Sequence, residues 1–204
     1  MESLIQRSPQ WFAARCGKVT ARRVKHVVAK IKSREAAARR NYKAQLVVER
    51  LTGIAQETYT NAAMQYGTET EPQARDAYVF RTDNKVEEVG FIQHESLMAG
   101  CSPDGLIGTD GGIEIKCPFQ SAVHIETLLN GMPSEHRAQI QGSLWITGCS
   151  FWDFVSFDPR LPAHLQLYIE RVERDKKYIA NLEKKVVVFL DEVSEIVKKL
   201  ERVT

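Results

Sequence analysis

Cys101-Ser102-Pro103-Asp104-Gly105-Leu106, followed by Gly112-Ile113-Glu114-Ile115-Lys116-Cys117-Pro118, is the stretch on which the reading of this chain turns. Ile113 to Lys116 alternates with period two, so as a strand it sets Glu114 and Lys116 on one face and the isoleucines on the other. Asp110-Gly111-Gly112 predicts a reversal, because glycine supplies the positive φ that tight hairpin turns need. That reversal carries Asp104 to Ile107 back along Gly112 to Lys116 and brings Asp104 to Glu114. Two carboxylates and one ammonium then converge. Few, hard oxygen donors suit Mg²⁺, which keeps waters and takes substrate phosphate oxygens. Lys116 would orient an attacking water, lower its pKa or offset developing negative charge. The plain alternative is a solvated hairpin with an ion pair worth at most about 1 kcal/mol, and the Asp-x9-Glu-x-Lys pattern alone leaves both open.

Around this centre lie 204 residues of ordinary apolar and charged content, enough for one core. The expectation is one α/β domain over 1–204, a mixed central β-sheet flanked by helices. A basic helical part would cover about 1–53, a catalytic core about 60–175 and a C-terminal helix about 175–202. Neither a leader-like start nor an apolar run long enough to cross a bilayer is seen, so a soluble, cytoplasmic protein is expected, with no membrane partner. Cys16, Cys101, Cys117 and Cys149 form no C-x-x-C pair and have no histidine at zinc-site spacing. The five histidines pair with nothing at ligand spacing, and G-x-x-x-x-G-K-[ST], G-x-G-x-x-G and G-x-S-x-G are absent, which removes the usual nucleotide-binding and serine-hydrolase readings. Net charge is only +2, but residues 1–50 hold 13 Lys and Arg against 3 Asp and Glu, leaving 15 against 23 in the remainder. That polarity suits a polyanion held by one region and a metal held by another.

Ser8-Pro9 predicts a helix start, with Trp11 and Phe12 on its apolar face and Gly17 ending it. Thr20 is expected to cap a second helix and Ser33 a third, which runs to about Leu51 with Tyr42, Leu46, Val47 and Leu51 as its stripe. Arg34, Arg39, Arg40 and Lys43 load the opposite face, either to track a DNA backbone or simply to meet solvent. Arg15 lies at the junction between helices one and two, near N–H groups that attract phosphate. A helix over Thr60 to Thr82 carries Glu71, read either as part of a Thr68-x-x-Glu71 capping box or as a further carboxylate aimed at the centre, with Gly67 and Pro72 marking a break. Val86 to His94 and Leu97 to Cys101 are expected as two strands, and Ser150 to Phe157 and Leu165 to Val172 as two more. Helices are expected over Gln120 to Leu129 and, capped by Ser134, over Glu135 to Ile146. Within the latter Gln139 and Gln141 face different ways, so only one of them reaches a site. From Asp175 onward a long amphipathic stripe predicts the last helix.

Taken together, Ser102-Pro103-Asp104-Gly105 and Glu114-Ile115-Lys116-Cys117-Pro118-Phe119 resemble the PD-(D/E)-x-K nuclease signature of the lambda-type phage recombination exonucleases, the YqaJ-like group. Trp11, Arg15-x-Gly17-x-Val19-Thr20-Ala21, Tyr66-Gly67-x-x-x-Glu71, Ala138-Gln139-Ile140-Gln141-Gly142-Ser143-Leu144-Trp145 and Phe157-Asp158-Pro159-Arg160 follow the family's order. The resemblance implies a restriction-endonuclease-like core and a 5′→3′ exonuclease on double-stranded DNA that releases mononucleotides and leaves a 3′ single strand. It implies a ring-shaped homotrimer working beside a single-strand annealing protein, phage- or prophage-encoded and acting in the bacterial host cytosol. Asp104, Glu114 and the Ile115 carbonyl would be metal ligands for two Mg²⁺, or Mn²⁺, with Glu71 the helix-borne carboxylate and Lys116 the lysine at the attacking water. The 5′-phosphate pocket would fall on Arg15, Ser102 and Gln141, with Thr20 beside it. Where the family has serine after Thr20-Ala21 this chain has Arg22, which would either supply charge or block the pocket. Met64 stands where a family member wedges between bases, though a buried methionine is the commoner role. A structure-selective or restriction-type endonuclease on the same core is the rival reading.

Overall fold

The computed structural model describes residues 5–29, 35–56 and 60–203. Its elements in chain order are α1 (Pro9–Arg15), β1 (Val19–Thr20), a 3₁₀ turn (Ala21–Arg23), α2 (Val24–Val28), α3 (Ala37–Thr52), α4 (Ala62–Thr82), β2 (Val86–Glu87), β3 (Ile92–Gln93), β4 (Ala99–Cys101), β5 (Gly105–Ile107) and β6 (Gly111–Lys116). These are followed by α5 (Ser121–Asn130), a 3₁₀ turn (Ser134–His136), α6 (Arg137–Thr147), β7 (Phe151–Phe157), a 3₁₀ turn (Ala163–Leu165), β8 (Leu167–Glu173) and α7 (Lys176–Leu200).

The main sheet has the order β2-β5-β6-β7-β8 and is mixed: β6 and β7 run parallel, with Glu114 opposite Phe154, and its other pairs are antiparallel. A parallel β6–β7 pair needs a crossover, and α5 and α6 provide it. A smaller sheet, β1-β4-β3, joins the N-terminal helices to the stretch that begins at Cys101. One apolar cluster packs Leu46, Leu144, Trp152, Phe154 and Phe189 between the sheet and helices α2, α3, α6 and α7. A second packs Ala74 and Tyr78 of α4 on Ile113, Ile115, Val155 and Phe157. The alternation of β6 therefore sends its isoleucines to α4 and leaves Glu114 and Lys116 for the opposite face.

Several boundaries differ from the sequence reading. The reversal occupies Gly108 to Asp110, with φ of +56° at Gly108, while Gly111 and Gly112 lie inside β6. They are glycines because the rings of Phe151 and Trp152 cover them: an added Cβ would stand 2.2 Å and 2.4 Å from ring carbons. The segment from Val86 to His94 is not one strand, since β2 joins the main sheet and β3 the small one. Helix α4 runs unbroken through Gly67 and Pro72, Thr68 donates to the Met64 carbonyl inside it, and no capping box forms there. Its true cap is Asn61, whose side chain accepts from the Met64 N–H, and Phe80 is 93% exposed. Ser8 caps α1 as expected, accepting from the Trp11 N–H, whereas Thr20 and Ser134 make no side-chain cap bond. Ser33 and Arg34 lie outside the described residues. Leu51 is exposed and leaves the α3 stripe to Tyr42, Leu46 and Val47. On the basic face of α3, Arg39 and Lys43 are not presented to DNA; both pair with Glu35 and with Glu192 of α7.

Candidate metal-dependent nuclease centre

Asp104 stands just before β5. Its N–H donates to the Ile113 carbonyl at 3.3 Å, and its Oδ2 accepts the Ile115 N–H at 2.6 Å. The side chain thus extends the β5–β6 ladder by one rung, which fixes the carboxylate beside Glu114. Upstream, the Gln6 amide donates to the Pro103 and Val89 carbonyls at 2.7 Å and 2.9 Å, pinning the entry to the site. Glu114 is buried, and its Oε1 accepts from Lys116 Nζ and, at 2.5 Å, from the Gln139 amide of α6. Glu71 lies one turn before Ala74 on α4, so packing of Ala74 and Tyr78 on the sheet directs it towards Asp104. Its carboxylate is itself engaged by Arg75 at 2.9 Å and Arg7 at 3.6 Å.

Charge at this point is strongly interdependent. Burial, then Glu114 and Glu71, hold the Asp104 carboxyl well above its usual range. Burial also raises Glu71, against the pull of Arg75 and Arg7. Burial works against the Lys116 ammonium, but Glu114 and Asp104 outweigh it and the pKa is raised, so the lysine stays charged. The neighbouring Cys117 thiol is pushed up to about 12 by burial, Glu71 and Asp104 and is no nucleophile at neutral pH.

Arg15 donates to the Ser102 hydroxyl at 3.1 Å, and the Trp11 indole N–H donates to the same oxygen at 3.0 Å. The Arg15 guanidinium lies 3.8 Å from the Trp11 ring centroid. Burial lowers Arg15 to about 10, leaving it charged at neutral pH. A cavity of about 540 Å³ holds all of these groups: Arg15, Ser102, Asp104, Glu114, Lys116 and Glu71 line it, as do Thr20, Arg22 and Met64. Met64 is half-buried on that wall and belongs to neither core cluster. Arg22 is exposed and near enough to Lys116 and Arg15 to affect the charge of both.

Gln141 is placed elsewhere. It is 1% exposed, donates to the Glu173 carbonyl at 2.8 Å and accepts the Asp175 N–H at 2.9 Å, so it joins the end of β8 to the start of α7 and does not line the cavity with Arg15 and Ser102. Gln139 is the one of the two that reaches the centre. The role of Trp11 was missed by sequence reasoning, although its spacing of four from Arg15 on one helix was a readable sign that the two side chains meet.

Among the described residues no three Asp, Glu, His or Cys side chains form a ready cation cage. The donor set is therefore small: Asp104, whose Oδ1 is free of donors among the described residues, with Glu114 and the Ile115 carbonyl. Such a set fits an ion that keeps several waters and shares the substrate's phosphate oxygens, as Mg²⁺ does. Glu71 could join only by loosening its hold on Arg75.

Two acids and a lysine on a β-hairpin, faced by a helix-borne glutamate and an arginine–serine pocket in a mixed α/β core, define a nuclease of the PD-(D/E)-x-K class. The chain belongs to the YqaJ-like viral recombinase domain family, whose model matches residues 10–150. It is similar to LHK-Exo, an alkaline exonuclease from Laribacter hongkongensis, at 47% identity with a TM-score of 0.89, covering 96% of this chain and 97% of that one. The LHK-Exo complex with dAMP superposes with a TM-score of 0.88. A phage-related exonuclease from Haemophilus somnus 129PT, 16% identical, shares the fold with a TM-score of 0.73 over 90% of this chain and 96% of that one. The Escherichia coli (strain K12) protein ExoD is 31% identical over 67 residues, 33% of this chain and 76% of that one.

Proposed function

We propose that this protein is a Mg²⁺-dependent 5′→3′ exonuclease that degrades one strand of linear double-stranded DNA to mononucleotides and leaves a 3′ overhang for single-strand annealing. The observation that carries this reading is the single cavity joining Asp104, Glu114 and Lys116 to the Arg15–Ser102 pair. Arg15, Ser102 and Trp11 would hold the 5′-terminal phosphate, which places the first internucleotide bond at the carboxylates. Asp104 and Glu114 would hold Mg²⁺, which when bound supplies Lewis-acid stabilisation of the phosphoryl oxygens. Lys116, kept charged by Glu114, would orient the attacking water and offset charge on the phosphorane. Gln139 holds the Glu114 carboxylate in place. The same reading carries a single nuclease unit assembled as a homotrimeric ring, with a single-strand annealing protein as partner in the host cytosol; family membership supports it, and no described helix is long and apolar enough to cross a membrane.

An end-labelled linear duplex with a 5′ phosphate, beside a covalently closed circle, tests this. Mononucleotides are expected from the linear duplex with magnesium and none with chelator, and the circle stays intact. Asp104→Ala, Glu114→Ala and Lys116→Ala are each expected to lower the rate by at least about a thousandfold while DNA binding persists. Near wild-type cleavage by any of the three, or nicking of the circle, overturns the assignment.

A further inference from the structure

The cavity does not end at Lys116. A second chamber of about 580 Å³ shares Arg15, Thr20, Arg22, Lys116 and Gln139 with the first and continues under α2 and α3 to Tyr42, Gln45 and Glu49. Asp104, Glu114 and Ser102 line only the first chamber; Lys18, Arg23 and Lys25 line only the second. Lys116 and Gln139 therefore stand at a threshold, with carboxylates on one side and a basic room on the other.

That room holds more positive charge than one terminal phosphate can neutralise. Arg15, Lys18, Arg22, Arg23, Lys25 and Lys116 line it against only Glu49 and Glu135. Glu49 is committed to its own surroundings: Oε2 accepts the Gly17 N–H at 2.8 Å, and Oε1 accepts from Gln45 at 2.8 Å and the Gln56 N–H at 3.2 Å. Glu135 faces outward, with its side chain 69% exposed and 3.8 Å from His136. Burial, followed by neighbouring cations, holds His26 and His136 below the usual histidine range, so neither cancels nor adds charge at neutral pH. A phosphomonoester brings about −2 at most, so even with Lys116 left to Glu114 the remaining five cations exceed what it and Glu49 neutralise.

An independent observation marks the same place. Thr20 is 6% exposed, lines both chambers, and its hydroxyl has no hydrogen-bond partner among the described residues. The Arg23 Nε is likewise buried and unpartnered there. Buried polar groups are nearly always hydrogen-bonded, so such a pair at the mouth of a basic cavity points to a ligand that supplies acceptors.

We propose that Thr20, Arg22, Arg23 and Lys25 form a subsite for a second phosphate, lying beyond the phosphate that Arg15 and Ser102 hold. The inference rests on the exonuclease reading above. Two kinds of DNA end can fill both positions: a 5′-polyphosphorylated end, whose anhydride-linked phosphates reach past the one at Arg15 and Ser102, and a one-nucleotide 5′ overhang, whose terminal phosphate takes the subsite while its phosphodiester takes the Arg15–Ser102 position. Arg22 then extends the pocket and does not block it.

Binding of the full-length protein in chelator separates the possibilities, using blunt duplexes with a 5′ hydroxyl, a 5′ monophosphate or a 5′ triphosphate, and a 5′-phosphorylated one-nucleotide overhang. At least one of the two-phosphate ends is expected to bind about fivefold or more tighter than the blunt monophosphate, with the advantage shrinking as salt rises. Preference for the triphosphate identifies the anhydride-linked phosphates, and preference for the overhang its terminal phosphate. Thr20→Val and the double variant Arg22→Gln/Lys25→Gln are expected to bring that ratio towards one. If neither end surpasses the monophosphate while the monophosphate still surpasses the hydroxyl, the second subsite is refuted and the Arg15–Ser102 pocket stands. If all ends bind alike, both are refuted, and because the wild-type series decides this, a variant that fails to fold does not rescue the proposal.

Discussion

Gln139 and Gln141 show what a single side chain decides. Two positions apart on α6, they point in different directions, and sequence spacing could say only that one of them reaches the site. The structure gives Gln139 to Glu114 and Gln141 to the β8–α7 junction, because which face of α6 meets β6 is settled by Ile140 and Leu144 packing in the main core. The two substitutions should therefore part company. Gln141→Ala leaves the Glu173 carbonyl and the Asp175 N–H unpaired in a buried place, a cost of about 1–3 kcal/mol, and should lower the melting temperature by roughly 2–10 °C with little effect on the preference for phosphorylated ends. Gln139→Ala should keep the melting temperature within about 2 °C but slow cleavage roughly tenfold to a hundredfold, because Glu114 retains only Lys116 as partner. Thermal melts and initial rates on one substrate check both, and the reverse pattern would exchange the two roles.

Among the elements, β6 was the most legible and its surroundings the least. Its alternating isoleucines, Glu114 and Lys116 predicted the strand and the face that carries chemistry, and the pairing with β5 is as expected. Gly111 and Gly112 read as a turn because what requires them, the rings of Phe151 and Trp152, comes from a strand forty residues on that local sequence cannot place alongside. The end of β6 is held in a similarly non-local way. Arg160, in the β7–β8 connection, donates to the Phe119 and Pro118 carbonyls at 2.9 Å and 3.0 Å and to Asp158 at 2.7 Å and 2.9 Å. Its guanidinium stands 4.8 Å from the Tyr66 ring centroid, so β6 and α4 are clasped together just past Lys116. Burial pushes the Asp158 carboxyl up, but its bonds from Arg160 and Ser121 outweigh this and depress it to about 2. A depressed carboxyl contributes stability that is present above its unfolded pKa of 3.8 and is lost as pH falls through about 2. Arg160→Ala should cost about 2 kcal/mol at neutral pH, less than a fully buried pair because the Arg160 side chain is 41% exposed. The melting-temperature gap between wild type and Arg160→Ala should narrow between pH 4 and pH 2, roughly the window set by those two values; a gap that widens there would show that the clasp does not act through Asp158.

For the molecule as a whole, the charge polarity of the sequence overstates what DNA can meet. Residues 1–50 carry 13 Lys and Arg, yet the fold spends several of them internally. Arg39 and Lys43 tie α3 to Glu192 of α7, and Arg50 donates to the Gly17 carbonyl and Ser194. Charge counting could not see this, since the acid that claims Arg39 and Lys43 lies about 150 residues away. Arg22, Lys25 and Arg40 are the described cations of this region whose side chains form neither an ion pair nor a hydrogen bond among the described residues. With Arg15 and Lys116 at the site, roughly three to five phosphates would be neutralised, which gives a slope of log affinity against log salt of about −2.7 to −4.5, far from the value of about −9 that ten contacts would produce. Binding of a 5′-phosphorylated duplex in chelator across a salt series measures it. Lys25→Gln should reduce the magnitude of the slope by about one, while Arg39→Gln should leave it unchanged and instead lower the melting temperature by loosening α7. A slope that drops with Arg39→Gln would mean that the α3–α7 pairing opens to receive DNA, and the internal role assigned to that arginine would be wrong.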